Sequence, residues 1–372
     1  MPLTAPTSER LMRIEQARDL VFQGRGADVQ QGVSPWIAQS WQRCLDMGLQ
    51  PEQHVSFDAV SAQHMRHVQE ASRPLVQAAQ PVLAELARTI ADIRYFAILT
   101  NAEGIVVDVH GAVDRQDRRA DAIARVGVDL SERSVGTTSI SAALTELQPV
   151  WLHRGEHFFN DNSVYSCAGT PVFGPDGLCA GMLDLTGIET MERPALKHLV
   201  RRSARSIENS WLLSTGHALV LRLNWPGNHP GDDSDGLLTL DQDGHITGAN
   251  PTARQMLSLS PATAGKTLHA SEVSASPWEN LFDSAGRTTQ ELPLWSGLRL
   301  QTQATRAGGR ATSAPTSVAD LPLATGPKAL KDVQTDMIRQ AVQQARGNVA
   351  EAARALGISR ATVYRKLGAP RQ

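Results

Sequence analysis

The sequence predicts a multidomain α+β protein with an all-α module at its carboxyl end. Three observations carry that reading. The chain has 372 residues, more than one ordinary core organises. Its hydrophobic period is helical up to about residue 90, turns to strand type at Tyr95, and becomes helical again from Met191. Finally, Arg306 to Pro327 is rich in Gly, Pro, Ser, Ala and Thr and cannot bury a core, so it reads as a tether before a small basic tail.

Composition narrows the class. Hydrophobic residues make up 41% and charged residues 20% of the chain, enough apolar surface for cores. No apolar run approaches the roughly 18 residues of a membrane span, and Glu9 and Arg10 interrupt the stretch where a secretory signal would lie. Cys44, Cys167 and Cys179 are odd in number and scattered, which frames neither disulfides nor a zinc site. A cytoplasmic protein without a membrane partner is expected. Net charge is only -2, yet from Lys328 onward nine cations face three acids. A basic tail on an acidic body suits a chain in which one module meets a polyanion.

The elements follow in order. Residues 1–90 are expected to be a helical N-terminal segment, with Trp36, Ile37, Trp41 and Leu45 at helical spacing after Ser34-Pro35 and a second amphipathic run through Leu75, Val82, Leu83 and Leu86. Residues 91–188 form an α+β block. Within it Tyr95–Thr100 and Ile105–Val109 are strands joined by a turn at Asn101–Gly104, and a helix spans Ser139–Leu147. Further strands are expected at Pro149–His153, Thr170–Phe173 and Leu178–Leu185, the last two joined at Gly174–Gly177. Residues 189–216 read as a linker helix whose Leu196, Val200, Ile207 and Trp211 stripe could pair with its twin in a homodimer. Residues 217–305 read as a smaller α+β unit with Leu237–Leu240 and Ile246–Asn250 around an Asp241–Gly244 turn, and residues 306–328 as the flexible linker.

Residues 329–372 carry the sharpest pattern. Leu330, Val333, Met337, Ile338 and Val342 share a helical face that ends at Gly347. Asn348 and Glu351 have the spacing of a capping box, Ala353 is small enough for a close helix crossing, Gly357 supplies a left-handed turn, and Ser359 caps a further helix buried through Val363 and Leu367. This is a helix-turn-helix, whose second helix enters the major groove. Its exposed positions Arg360, Ala361, Thr362, Tyr364, Arg365 and Lys366 offer guanidinium, hydroxyl, methyl and ammonium groups. Arg360 near the helix start suits a guanine edge, and Arg365 and Lys366 suit phosphates.

The run Gly347-Asn-Val-Ala-Glu-Ala-Ala-Arg-Ala-Leu-Gly-Ile-Ser-Arg-Ala-Thr-Val-Tyr-Arg-Lys-Leu367 closely resembles the Fis-type helix-turn-helix of bacterial enhancer-binding activators. That resemblance implies a dimer on inverted-repeat double-stranded DNA, with contacts from Ser359, Arg360, Thr362, Arg365 and Lys366, beside Asn348 at the cap. The runs beginning at Ser131, Val150 and Ser166 are similar to the GAF domain of acetoin-type regulators, and residues 217–303 more faintly to a PAS unit. Gly136-Thr137-Thr138 departs from the Gly-Thr-Asn common in that family. That departure means the family's ligand does not carry over, and Thr137, Thr138, Trp151, His153, His157, Phe158, Tyr165 and Cys167 are candidates for the pocket of an unknown small-molecule effector, with a structural place in the core as the alternative for the aromatic, histidine and cysteine side chains. Full-length relatives carry an ATPase between sensor and DNA module, whereas Ala264-Gly-Lys-Thr267 here has Ser260 where a phosphate-cradling loop needs its first glycine. RNA polymerase or a partner activator is therefore the expected protein contact. No nucleophile–base pair or metal-ligand cluster stands out, so no catalytic residue, metal or cofactor is assigned. His153 and His157 flank Glu156 but lack the zinc-protease order.

Overall fold

The computed structural model describes residues 5–26, 32–261 and 267–307. The tether beyond 307, the helix-turn-helix and the Gly265-Lys266 stretch lie outside them, as do all the residues assigned to DNA. What is described is α+β, with two five-stranded antiparallel sheets and helices around them.

Three helices lead: α1 (Ala5–Phe22), α2 (Pro35–Asp46) and α3 (Ala62–Thr89). Ser34 precedes α2 with Pro35 in its first turn, where the missing proline N–H costs nothing. The first sheet has the order β2–β1–β5–β4–β3, from β1 (Tyr95–Asn101), β2 (Val106–Gly111), β3 (Val150–His153), β4 (Tyr165–Phe173) and β5 (Cys179–Ile188). Both expected hairpin turns are present. Asn101 accepts from the backbone N–H of Glu103 and Ile105, and Gly174 N–H donates to Leu178 across the β4–β5 turn. The short helices α4 (Arg118–Ile123), α5 (Glu132–Val135) and α6 (Ser139–Glu146) fill the crossover between β2 and β3.

Strand alternation divides the apolar residues between two cores. Phe96, Ile98, Tyr165, Cys167 and Met182 face Ile14, Val21, Ile37 and Trp41 of α1 and α2. Tyr95, Ala97, Leu99, Leu183 and Leu185 face α3 and α7 (Leu196–Ser214). The helical N-terminal segment thus shares its cores with the sheet. Leu196, Val200, Ala204 and Ile207 of α7 are spent in that second core, with Trp211 packed partly against it. The stripe read from the sequence as a pairing face is taken up by the chain's own α3 and β4.

The second sheet has the order β8–β7–β6–β10–β9, from β6 (Leu219–Asn224), β7 (Gly236–Leu240), β8 (Ile246–Ala249), β9 (Gln290–Pro293) and β10 (Arg299–Arg306). Helices α8 (Pro251–Leu257) and α9 (Glu279–Asp283) cover its core of Leu219, Leu221, Leu238, Leu240, Leu292 and Leu300. In the Asp241–Gly244 turn the Asp241 carboxylate accepts from Asp243 and His245 backbone N–H groups, as the sequence reading of a hairpin requires. Asp241, Asp243 and His245 each offer one metal-ligand atom within 4.8 Å of one another, on a solvent-facing turn.

The β4–β5 turn and α7 join the first sheet to the second. The Pro175 carbonyl, in the β4–β5 turn, accepts from Ala249 N–H at 3.0 Å and from Arg254 Nη2 at 2.8 Å. Asn250 caps α8 by accepting from Ala253 N–H, and its amide donates to Asn209 of α7 at 2.8 Å. Gly248 permits this approach, since a Cβ there would lie 2.6 Å from Leu212 and 3.0 Å from Pro175.

Candidate functional site

Strand register builds the site. Across three neighbouring strands Ile98 pairs with Asp184, Cys167 with Thr186, and Tyr165 with Ile188, so Ile98, Asp184, Thr186, Cys167 and Tyr165 project from one face. Opposite Asp184 on β4 stands Gly169, whose missing Cβ would sit 3.0 Å from the Ser139 carbonyl and 2.6 Å from Met182. The absent side chain lets the start of α6 descend onto the sheet. Thr138 caps that helix in a capping box with Ser141, and Ser139 Oγ reaches Asp184 Oδ1 at 2.5 Å.

The result is a buried cavity of about 30 Å³. Its walls are Ile98, Ile123, Leu130, Ile140 and Phe57, completed by Thr138, Ser139, His157, Asn162, Tyr165, Cys167, Asp184 and Thr186, and the surface they leave open is almost wholly apolar. A space of that size holds one or two waters as it stands.

Asp184 is fully buried and accepts from Ser139 and Thr186 hydroxyls, with no cation among the described residues hydrogen-bonded to it. Burial outweighs those two bonds and pushes its carboxyl up to about 6. His157 donates Nδ1–H to the Arg154 carbonyl at 2.9 Å, because a carbonyl can only accept. Burial lowers its imidazole to about 4, so Nε2 is a bare acceptor, and that atom has no partner among the described residues. Asn162 donates its amide to the Val135 carbonyl at 3.1 Å and leaves Oδ1 unpartnered. Cys167 is inert as a nucleophile, since full burial raises its thiol well above the usual range.

The segment holding His157 and Asn162 is clamped from α1. Arg18, buried at 9% exposure, donates to the carbonyls of Gly155, His157 and Phe158 and to Asn160 Oδ1, and its guanidinium lies over Phe22 and Trp41. Trp41 Nε1 adds a bond to the Glu156 carbonyl at 3.0 Å. These contacts satisfy the backbone of a loop that has no ladder of its own.

Of the eight pocket residues expected from the sequence, Thr138, His157, Tyr165 and Cys167 line the cavity. The other four lie elsewhere. Thr137 packs under α2, bonded to Ser40 Oγ at 2.7 Å and near Cys44. Trp151 points to the opposite face of the sheet, its ring stacked with that of His153. His153 bonds Ser166 Oγ at 2.6 Å, and Phe158 sits in the aromatic core with Phe22 and Phe159. His153 and His157 thus have separate partners and no shared ligand geometry. Sequence reasoning missed Phe57, Ile98, Ile123, Leu130, Ser139, Ile140, Asn162, Asp184 and Thr186. Asp184 had a signal, since an acid between Leu183 and Leu185 in a strand apolar on both faces needs a reason to be there.

A small cavity in an α+β domain, in one chain with a helix-turn-helix sequence, is the build of a transcriptional regulator with a sensory domain. Comparison with known proteins agrees. A family model described as MimR, N-terminal domain, matches residues 12–209, and one described as bacterial regulatory protein, Fis family, matches residues 329–369. The chain belongs to the MimR N-terminal domain family and ends in a Fis-type helix-turn-helix. It is similar to the acetoin catabolism regulatory protein of Cupriavidus necator, 29% identical over 232 residues that cover 59% of this chain and 34% of the relative. It is also similar to the propane 2-monooxygenase operon transcriptional activator MimR of Mycolicibacterium goodii, 30% identical over 190 residues that cover 50% of this chain and 31% of the relative. The chain spans about a third of the length of these curated relatives. Among solved structures it is similar to a chain of the E. coli DhaR(N)-DhaL complex, with a TM-score of 0.46 and 16% identity over 74% of this chain and 100% of that one.

Proposed function

We propose that this protein is an effector-responsive, sequence-specific DNA-binding regulator and not an enzyme. Its effector occupies the Asp184 cavity, and its helix-turn-helix binds an inverted repeat as a homodimer. The observation that carries this reading is the direct mechanical path from the cavity. Tyr165, Cys167, Asp184 and Thr186 belong to β4 and β5, and those strands meet at the turn whose Pro175 carbonyl is held by the second sheet. An effector that favours one arrangement of that hairpin shifts the balance of the two-domain body by its preference and no more.

Residues 219–306, between the two family matches, form the second antiparallel sheet, which we read as a PAS-like unit. Combined with the missing phosphate-loop glycine, this supports regulation without ATP hydrolysis, through RNA polymerase or a partner activator. A role beside a full-length sigma-54 activator is the second reading, resting on the same substitution at Ser260.

The test is a genome-wide binding profile of the full chain, followed by footprinting on the sites recovered and sedimentation on one of them. Protected inverted repeats and a mass of two chains per site are expected. Absence of sequence-selective sites, or one chain per site, refutes the reading. ATP-dependent opening of a sigma-54 promoter by the purified chain alone refutes the ATP-independent part.

A further inference from the structure

A second cavity, of about 190 Å³, opens where α7 meets α8 of the second sheet's domain. Strand alternation sets its floor. Along β4, Ala168, Thr170 and Val172 point toward α7, away from Cys167 and Asp184, so this cavity and the one under α6 lie on opposite faces of the sheet. Arg201, Arg205 and Glu208 succeed one another at helical spacing along α7, which puts them on one side of that helix, and all three line the cavity. Thr252 and Gln255 line it from α8. Leu147, Pro149, Pro171, Phe173 and Pro251 supply apolar surface between them.

The charges in this wall are unbalanced. Among the described residues neither guanidinium makes an ion pair or a side-chain hydrogen bond, and Arg205 acts on Glu208 and Asp232 only through space. Two cations one helical turn apart repel each other. Glu208 does not supply the missing anion. Its carboxyl is 8% exposed and accepts from the Phe173 backbone N–H at 2.9 Å, and burial pushes it up to about 8, so at neutral pH it is mostly protonated. Thr170 is 3% exposed, yet its hydroxyl has no hydrogen-bond partner among the described residues. A hydroxyl buried apart from protein partners takes its hydrogen bond from whatever fills the cavity.

We propose that this cavity is a second ligand site, which binds a small organic carboxylate with its charged end on Arg201 and Arg205 and its carbon skeleton against Pro149, Pro171 and Phe173, and thereby ties α7 to α8. The site is separate from the effector cavity of the proposed function and does not depend on it. A guanidinium fork matches the two oxygens of a carboxylate, and a bound anion relieves the repulsion between the two arginines. A neutral molecule leaves that repulsion in place. An inorganic anion satisfies the arginines but gains nothing from the apolar wall, whereas a carbon skeleton leaves water there.

The experiment is calorimetric titration of the full chain with butanoate and benzoate, against butanamide and benzamide as neutral counterparts of the same shape and inorganic phosphate as an anion without a carbon skeleton. Saturable binding of at least one carboxylate is expected, roughly tenfold tighter than its amide and than phosphate. Arg201→Gln and Arg205→Gln should each weaken that carboxylate roughly tenfold with circular dichroism unchanged, since neither side chain is buried. In hydrogen-exchange mass spectrometry the bound carboxylate should slow exchange of the α8 amides in the parent and not in the two variants. Carboxylate binding that survives both substitutions, or no saturable binding by any probe up to about 10 mM, overturns the site. Amides binding as tightly as the carboxylates overturn recognition of charge, and phosphate binding as tightly overturns the organic class. Carboxylate binding that leaves α8 exchange unchanged overturns the tie between the two helices.

Discussion

Asp184→Asn tests whether the charge in the cavity is kept at the expense of stability. A carboxyl near 3.8 in the unfolded chain is pushed up to about 6 by burial in the folded one. Between those values the folded state binds the extra proton, so its stability falls as pH rises from about 4 to about 6 and stays lower above. The difference of about two pH units corresponds to about 3 kcal/mol at neutral pH. Asparagine keeps the shape, its carbonyl still accepting from one of the Ser139 and Thr186 hydroxyls while the other rotates to accept from its amide. The variant should therefore be more stable than the parent by about 3 kcal/mol at pH 8 and by only about 1 kcal/mol at pH 4.5. For a domain of this size the larger gain is a rise in Tm of roughly 6 to 12 °C, read by calorimetry at both pH values. A variant less stable than the parent at pH 8 would refute the reasoning, since it would mean that the two hydroxyls stabilise the carboxylate by more than burial costs it. Stabilisation at pH 8 with loss of effector response is the pattern of a residue retained for binding.

Other expectations follow from single contacts. Arg18→Met keeps the apolar stem but leaves the carbonyls of Gly155, His157 and Phe158 without their donor, and should cost about 3 kcal/mol in denaturant unfolding; a change within about 0.5 kcal/mol would show that water replaces the guanidinium. Arg254→Ala removes one of two donors to Pro175, so backbone amides of the β4–β5 turn should exchange faster in hydrogen-exchange mass spectrometry while those of β1 do not; unchanged exchange at the turn counts against the relay. Arg360→Ala should weaken the specific site by about 1 to 3 kcal/mol and spare much of the nonspecific binding in a gel-shift titration. Equal losses on specific and random DNA would make Arg360 a phosphate contact.

Several features of this protein were legible without coordinates because their causes are local. The turns at Asn101–Gly104, Gly174–Gly177 and Asp241–Gly244 are written in residues that bond their own neighbouring amides. Helix α2 starts at a serine-proline pair, and β1 and β2 show themselves by strand-type runs. The α+β class, and the Fis-family pattern matched at residues 329–369, follow from the same kind of short-range chemistry.

The cavity is different in kind. Whether Thr137 or Thr138 faces it depends on which of the two caps α6 and which packs beneath α2, a choice made by Ser40 and Ser141 from distant or helical positions. Trp151 and His157 are six residues apart in sequence but on opposite sides of the sheet, because β3 alternates and the loop after it is pulled under by Arg18. Asp184 comes to line the cavity only through a register that sets Gly169 opposite it and lets Ser139 come down. The α7 stripe shows the same limit: an apolar face demands a partner, and the sequence alone does not say whether that partner is a second chain or, as the tertiary structure decides, α3 and β4 of the same one. Periodicity and turn chemistry are properties of neighbours in sequence, whereas partners for buried acceptors and apolar faces are assigned only when distant segments meet.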